Sequence, residues 1–202
     1  KGVPVIPGDI AVTSGDVARI AAKLGAPLVL KIASKDIAHK TEVGGVRLNV
    51  LPADASKVFD EVIASVKKAA PKAKIEGVVV SPMREKGLEL LVGIKRDPSW
   101  GLMLAVGFGG VLVELMVDVA IAPLPVTPSD VKAMFGRLRG AKLIKGYRGG
   151  RPVDMERLAE IVVKIANAAH DLGPGLESLE INPLFVGDDV IEALDALTIW
   201  SA

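Results

Sequence analysis

The run from Pro27 to Ala33, PLVLKIA, is apolar except for one charge, Lys31. A run this short and this apolar is a buried strand rather than a helix. What flanks it fixes the fold class. Before it, Thr13-Ser14 followed by Asp16 is a helix start and Gly25 a stop, which predicts a helix over Gly15 to Leu24. After it, Val43 to Val50 reads as a second strand. Asp54 to Ala69 carries Val58, Val62, Ile63 and Val66 at helical spacing, and Lys74 to Val80 is a further strand ended by Ser81-Pro82. Helix–strand–strand–helix–strand is an α+β unit.

A second unit follows. Leu88 to Ile94 and Met103 to Val106 read as strands, with Phe108-Gly109-Gly110 as a loop. Pro128 to Arg137 and Asp154 to Leu172 read as helices, and Leu179 to Val186 with Val190 to Leu194 as a hairpin around Gly187-Asp188. The expected seam is a hinge at Ser81 to Lys86, giving subdomains 1–82 and 83–202. No internal repeat or low-complexity segment interrupts this order.

Composition narrows the function. Only seven of the 202 residues are aromatic (four Phe, two Trp, one Tyr), so the core is Val, Leu, Ile and Ala. A net charge of +1 argues against a nucleic-acid binder, which carries a clear basic excess. Without cysteine there is no thiolate chemistry and no zinc–cysteine site. The most apolar stretch, Val111 to Leu124, is broken by Glu114 and Asp118 and is too short to span a bilayer. A cytoplasmic protein with neither nucleic-acid nor membrane partners is expected. The chain opens on Lys1 and enters patterned sequence at once, which points to a domain cut from a longer polypeptide.

Three clusters carry chemistry. The first is Lys31 to Gly45, KIASKDIAHKTEVGG. Lys31 is either an exposed strand lysine or a point charge between phosphate oxygens. His39 stands among Lys35, Asp36, Lys40 and Glu42. A solvated loop histidine is the plainer reading; the sharper one is a nucleophile, with two ammonium groups to steady an added phosphoryl group. Gly44-Gly45 adds exposed backbone donors. His170, at a helix C-terminus, has a structural explanation as a cation at the negative end of the helix.

The second cluster is Ser178-Leu-Glu-Ile-Asn-Pro-Leu184. Glu180 and Asn182 share one strand face. If the hairpin loop is the two residues Gly187 and Asp188, position 180 faces 195 and 182 faces 193, and Asp195 joins that face. Two carboxylates and an amide suit magnesium that completes its shell with water and phosphate; a polar outer face on an edge hairpin is the alternative. The third is Val80-Ser81-Pro82-Met83, whose Pro-broken end offers backbone groups to a base, with Glu89 placed to accept from ribose hydroxyls.

In order along nearly the whole chain, LVLKIASKDIAHKTEVGGVRLNV, EGVVVSPM, GLELLVGIKRDPSWG, GFGGVLVELMVDVAIAPLP and LEINPL with ALDA resemble the ATP-grasp domain of the NDP-forming acyl-CoA synthetases. These include ADP-forming acetyl-CoA synthetase and, more distantly, the succinyl-CoA synthetase β-subunit. The resemblance implies an α+β ATP-grasp fold, two subdomains with the nucleotide site between them, and ATP/ADP with Mg2+ as cofactors. It implies Lys31 on the ATP phosphates, Val80 to Met83 at the adenine, Glu89 at the ribose, and Asn182 and Asp195 as magnesium ligands. It implies that His39 is itself phosphorylated and that Glu180 steadies a phosphorylated histidine. Gly44, Gly45, Gly109, Gly110, Glu114 and Arg148 fall in family-like blocks on the phosphate side. The family's CoA-binding and ligase domains, with their second phosphorylated histidine, do not fall within these 202 residues, and the opening turn of the unit looks clipped. The expected partners are therefore those domains, fused or as a separate subunit, in an oligomeric enzyme. Two other readings stand beside this: a regulatory nucleotide-binding module fused to an acetyltransferase, and a carboxylate–amine ligase of the wider ATP-grasp group. The second has no role for His39.

Overall fold

A computed structural model describes residues 1–25, 27–84, 87–110, 118–147 and 150–201. The fold divides into two compact units, Ile6–Glu85 and Lys1–Val5 with Lys86–Ala202.

The Ile6–Glu85 unit begins with the short strand β1 (Asp9–Ala11) and helix α1 (Ser14–Leu24). Thr13 Oγ1 accepts the Asp16 N–H at 3.1 Å, and the Asp16 carboxylate accepts the Thr13 N–H at 3.1 Å. Together these satisfy donors that the first helical turn leaves orphaned. The Thr13 hydroxyl, donating to Asp16, holds that carboxyl below its ordinary range. Gly25, at φ 65°, ends α1 in the left-handed conformation that glycine adopts without strain.

Strand β2 (Leu28–Ala33) then lies between β3 (Val46–Val50) and β4 (Gly77–Pro82), and β1 completes an antiparallel sheet of order β1-β4-β2-β3. Helix α2 (Ala55–Ala69) follows a single 3-10 turn at Pro52–Asp54. Leu28, Leu30 and Ile32, all fully buried, pack with Val17 and Ile20 of α1 and Val62 and Val66 of α2. Each such side chain removed from water contributes about 1.5–3 kcal/mol. Alternation sends Val29 and Lys31 to the other face.

In the larger unit, β5 (Leu88–Asp97) and β6 (Gly101–Phe108) form a long hairpin. With β7 (Val119–Pro123), β8 (Leu176–Val186), β9 (Ile191–Ala193) and β10 (Ala196–Trp200) they make a sheet of order β10-β8-β5-β6-β7, with β9 also on β8. Helix α3 (Pro128–Arg137) starts with a second Thr–Asp capping box, Thr127 and Asp130. The short α4 (Ala141–Ile144) follows, and α5 (Met155–Asp171) buries Leu158, Ile161, Val162 and Ile165 along one stripe. These helices cover the sheet face carrying Leu90, Val92, Ile94, Leu104 and Val106.

The helix-free face of this sheet is built in cross-strand rows. One row runs Ile121, Ala105, Gly93, Glu180, Leu197 across β7, β6, β5, β8 and β10. The next holds Met103, Lys95, Ser178 and Ile199.

Two expectations need correction. The hairpin loop is Gly187 to Val190, closed by the Gly187 N–H on the Val190 carbonyl at 2.8 Å, not the two residues Gly187 and Asp188. Two further loop residues shift the register by two places, so Leu184 faces Ala193 and Phe185 faces Glu192. Neither the pairing of 180 with 195 nor that of 182 with 193 forms. Second, Ser81-Pro82 does not end the strand before it: both residues belong to β4, where Ser81 faces Val29 and Pro82 faces Leu28.

Among the described residues no helix is long and apolar enough to cross a membrane. Val111 to Met116 with Val117, and thus Glu114, lie outside the described residues, as do Arg148 and Gly149.

Candidate functional site

In the smaller unit, Lys31 stands on the sheet face away from the helices. It is directly opposite Val79 on one side and Val46 on the other. One residue pair along the same face, Val29 faces Ser81, which is 3% exposed. Lys31 and Ser81 therefore share a face. Val80 does not: it is fully buried among the helix-facing residues, so any contact it makes to a ligand is through its backbone. Of the backbone groups expected to be on offer to a base at this strand end, the Met83 N–H is committed to the Pro27 carbonyl at 2.7 Å.

The β2–β3 loop presents His39 as an exposed side chain. Its shape comes from Gly44 and Gly45. Gly44 sits at φ 68°. A Cβ on Gly45 would stand 2.6 Å from Ile32 Cγ2 and 2.8 Å from the Lys40 carbonyl oxygen. Their N–H groups are not the exposed donors expected from the sequence. Gly44 donates to the Thr41 carbonyl at 3.0 Å and Gly45 to the Lys40 carbonyl at 2.7 Å. The glycines thus fold the segment back onto β2, where the Ile32 N–H donates to the Gly45 carbonyl at 2.7 Å. Asp36 is used structurally, its carboxylate taking the Lys74 N–H at 2.7 Å.

In the larger unit four expected residues converge. The Gly109 N–H donates to the Glu89 carbonyl at 2.7 Å, which seats the glycine loop on β5. Gly110 turns at φ 59°, and a Cβ there would lie 2.0 Å from Glu89 Oε2. The Glu89 carboxylate therefore occupies the space that a side chain at 110 would need. On its other side Gly110 N lies 3.5 Å from Asn182 Oδ1, and Asn182 Nδ2 donates to Glu180 Oε1 at 3.1 Å. Glu89, Gly110, Asn182 and Glu180 form one polar line from the start of β5, across the turn after β6, to the middle of β8.

The corrected hairpin register brings Asp195 to the same place. The Leu194 N–H donates to the Pro183 carbonyl at 3.0 Å, setting Leu194-Asp195 alongside Asn182-Pro183. Asp195 Oδ1 accepts its neighbour Ala196 N–H at 2.9 Å. Among the described residues no group of three His, Asp or Glu side chains is gathered for a metal. What is present is an oxygen set of one amide and two carboxylates, and among the described residues the Asn182 oxygen has a long contact to Gly110 N at 3.5 Å. That set suits a hard cation sharing its shell with phosphate and water, not an all-protein cage.

Sequence reasoning passed over Gly93. It lies mid-strand in β5, directly between Ala105 and Glu180, and a Cβ on it would meet nothing within 4 Å. A glycine inside the run LELLVGIKRD was the available signal, since interior strand glycines mark close approach of another group.

Each unit thus layers helices on one face of an antiparallel sheet, the smaller with Lys31 on its helix-free face and the larger with an amide–carboxylate line. The chain belongs to the ATP-grasp domain family, whose model matches residues 1–199. It is 37% identical over 194 residues to acetate–CoA ligase [ADP-forming] I of Archaeoglobus fulgidus, covering 96% of this chain and 28% of the relative. It is 33% identical over 199 residues to the β-subunit of acetate–CoA ligase [ADP-forming] I of Pyrococcus furiosus, covering 98% of this chain and 85% of that one. The fold matches acetyl-coenzyme A synthetase 1 of Candidatus Korarchaeum cryptofilum, solved with coenzyme A and Ca-AMPCP. The TM-score is 0.91 at 32% identity, over 99% of this chain and 87% of the other. The same protein with coenzyme A and Mg-AMPPCP, its phosphohistidine segment pointing towards the nucleotide-binding site, matches at 0.81 with 28% identity, over 99% and 86%. The chain thus spans little more than a quarter of the length of the Archaeoglobus relative.

Proposed function

We propose that this chain is the ATP-binding and phosphohistidine-relay module of an ADP-forming acyl-CoA synthetase, which converts a carboxylic acid, CoA and ATP into acyl-CoA, ADP and phosphate. The observation that carries the reading is the line from Glu89 through Gly110 and Asn182 to Glu180. It sets a carboxylate suited to ribose hydroxyls, a bare backbone turn and an oxygen donor for a cation next to one another.

Each residue has a task in that reaction. Lys31, a compact charge on a rigid strand, holds phosphate oxygens. The end of β4, from Val80 to Met83, borders the base. Asn182 and Asp195 would hold Mg2+, which supplies charge neutralisation on the phosphates. His39 takes the γ-phosphoryl group. An imidazole nitrogen forms the N–P bond while the bond from γ-phosphorus to the bridging oxygen breaks, and ADP leaves with that electron pair. The protein's contribution to such a transfer is positioning and charge stabilisation. The phosphoryl group then passes to a histidine in the CoA-ligase part of the enzyme, and Glu180 steadies it there. The Mg-AMPPCP complex of the Korarchaeum relative, with its phosphohistidine segment turned to the nucleotide, supports this assignment.

The test is His39→Ala in the complete enzyme, followed by ATP-dependent thioester formation. Loss of acyl-CoA with retained ADP binding is expected. A variant that still makes acyl-CoA at the wild-type rate overturns the relay.

A further inference from the structure

The helix-free face of the larger sheet holds a groove of about 740 Å³ whose walls include Leu91, Met103, Ile121 and Ile199. Its floor is the row Ala105, Gly93, Glu180. Lys95, exposed and directly opposite Ser178, lies two residues along β5 from Gly93. Gly93 is costly here on conformational grounds, because glycine in a strand interior loses backbone freedom and gives no packing. Nothing among the described residues demands it: its φ is not among the positive ones, and an added Cβ would meet none of them within 4 Å. Alanine or valine would fit the sheet better. The groove above it has a carboxylate at one side, with Oε1 held by Asn182 and no donor on Oε2 among the described residues, and an ammonium group further along. An occupant fitting that pattern is an extended segment that offers an N–H to Glu180 and an anionic oxygen to Lys95, as a phosphorylated imidazole does.

We infer that Gly93 is a positioning residue: it leaves the floor of this groove bare so that the histidine-bearing segment of the CoA-ligase part can lie against the sheet and bring its imidazole to Glu180. This rests on the proposed synthetase reading and adds to it the track along which the segment docks and the residue that clears it. The side chain of residue 93 then decides phosphoryl hand-over without touching nucleotide.

Gly93→Val in the complete enzyme tests this. Valine favours strand and meets no neighbour at Cβ, so the melting temperature is expected to hold or rise. ADP affinity, read by calorimetry, is expected to match wild type. Acyl-CoA formation is expected to fall on the order of 100-fold, the cost of a misplaced reacting group. With γ-labelled ATP, label is expected to accumulate on His39 instead of passing on. A purely structural role for Gly93 would move the melting temperature and not this distribution of label. An active wild type with Gly93→Val within a few-fold of it overturns the inference. So does a variant that melts well below wild type, because the space above Gly93 would then not be open. A wild-type enzyme that makes no acyl-CoA from ATP, acid and CoA overturns instead the synthetase reading on which the inference rests.

Discussion

Asn182 Nδ2 donates to Glu180 Oε1 at 3.1 Å, two residues apart on one face of β8. The proposed cation ligand and the proposed histidine-steadying carboxylate are thereby tied together, and the orientation of one sets that of the other. Asn182→Ala removes the donor that fixes Glu180 and, on the proposed reading, an oxygen from the cation. We expect Mg2+-dependent nucleotide affinity to fall at least about 10-fold, measured by titrating Mg2+ against a fixed concentration of ATP. An unchanged Mg2+ midpoint would separate Asn182 from the metal.

Leu30 and Lys31 are neighbours with opposite duties. Leu30 is fully buried under the helices, and Lys31 is on the other face. Leu30→Ala is expected to cost about 2–5 kcal/mol in chemical denaturation. Lys31→Met keeps the strand and removes the charge; its expected effect is on ATP affinity, at least about 10-fold weaker, and not on a cavity in the core.

Gly45→Ala tests the loop that carries His39. The added carbon would crowd Ile32 and the Lys40 carbonyl, both under 3.0 Å away. Overpacking of this kind costs about 1–3 kcal/mol, and the thermal midpoint should fall accordingly. Phosphorylation of His39 should fall with it, because the same contacts hold the loop on β2. A variant as stable as wild type would show that the loop can move aside.

The capping box of α3 gives a pH prediction. Thr127 donates to Asp130 through its hydroxyl and its N–H, at 2.6 and 2.8 Å, and this holds the Asp130 carboxyl below its ordinary range. A lowered folded-state value means stability that is present above the unfolded carboxylate range and is lost as the pH falls through the folded value. Thr127→Ala should therefore destabilise near neutrality, and the gap to wild type should narrow in strong acid, leaving the part owed to the Asp130 N–H on Thr127 Oγ1. Urea midpoints at neutral and strongly acidic pH check it; a gap independent of pH would contradict the mutual cap.

Much of this was legible from the chain. Helix α3 has the bounds read from the sequence, Pro128–Arg137, and the structure shows a Thr127–Asp130 capping box at its start. The central strands β2 and β5 were visible as apolar runs. Less legible were β1, β7 and β10, short strands at or beside sheet edges whose exposed residues, such as Ile10, Ile121 and Ile199, leave no burial pattern to read. The hairpin register failed for another reason. Gly187-Asp188 is a fair two-residue turn locally, and only the pairing of Val186 with Ile191 decides for four. The convergence of Glu89, Gly110 and Asn182 joins residues far apart in sequence, so periodicity alone could not place them. Gly44-Gly45 misled because a glycine pair that frees donors and one that permits a close turn are identical as sequence.

The central claim is that His39 carries a phosphoryl group. The direct measurement is incubation of the complete enzyme with γ-labelled ATP and Mg2+, followed by acid and base treatment of the protein. The account predicts an acid-labile, base-stable label that disappears in His39→Ala and survives in His170→Ala. ATP bound with no label on the protein, or a label undiminished in His39→Ala, would contradict it.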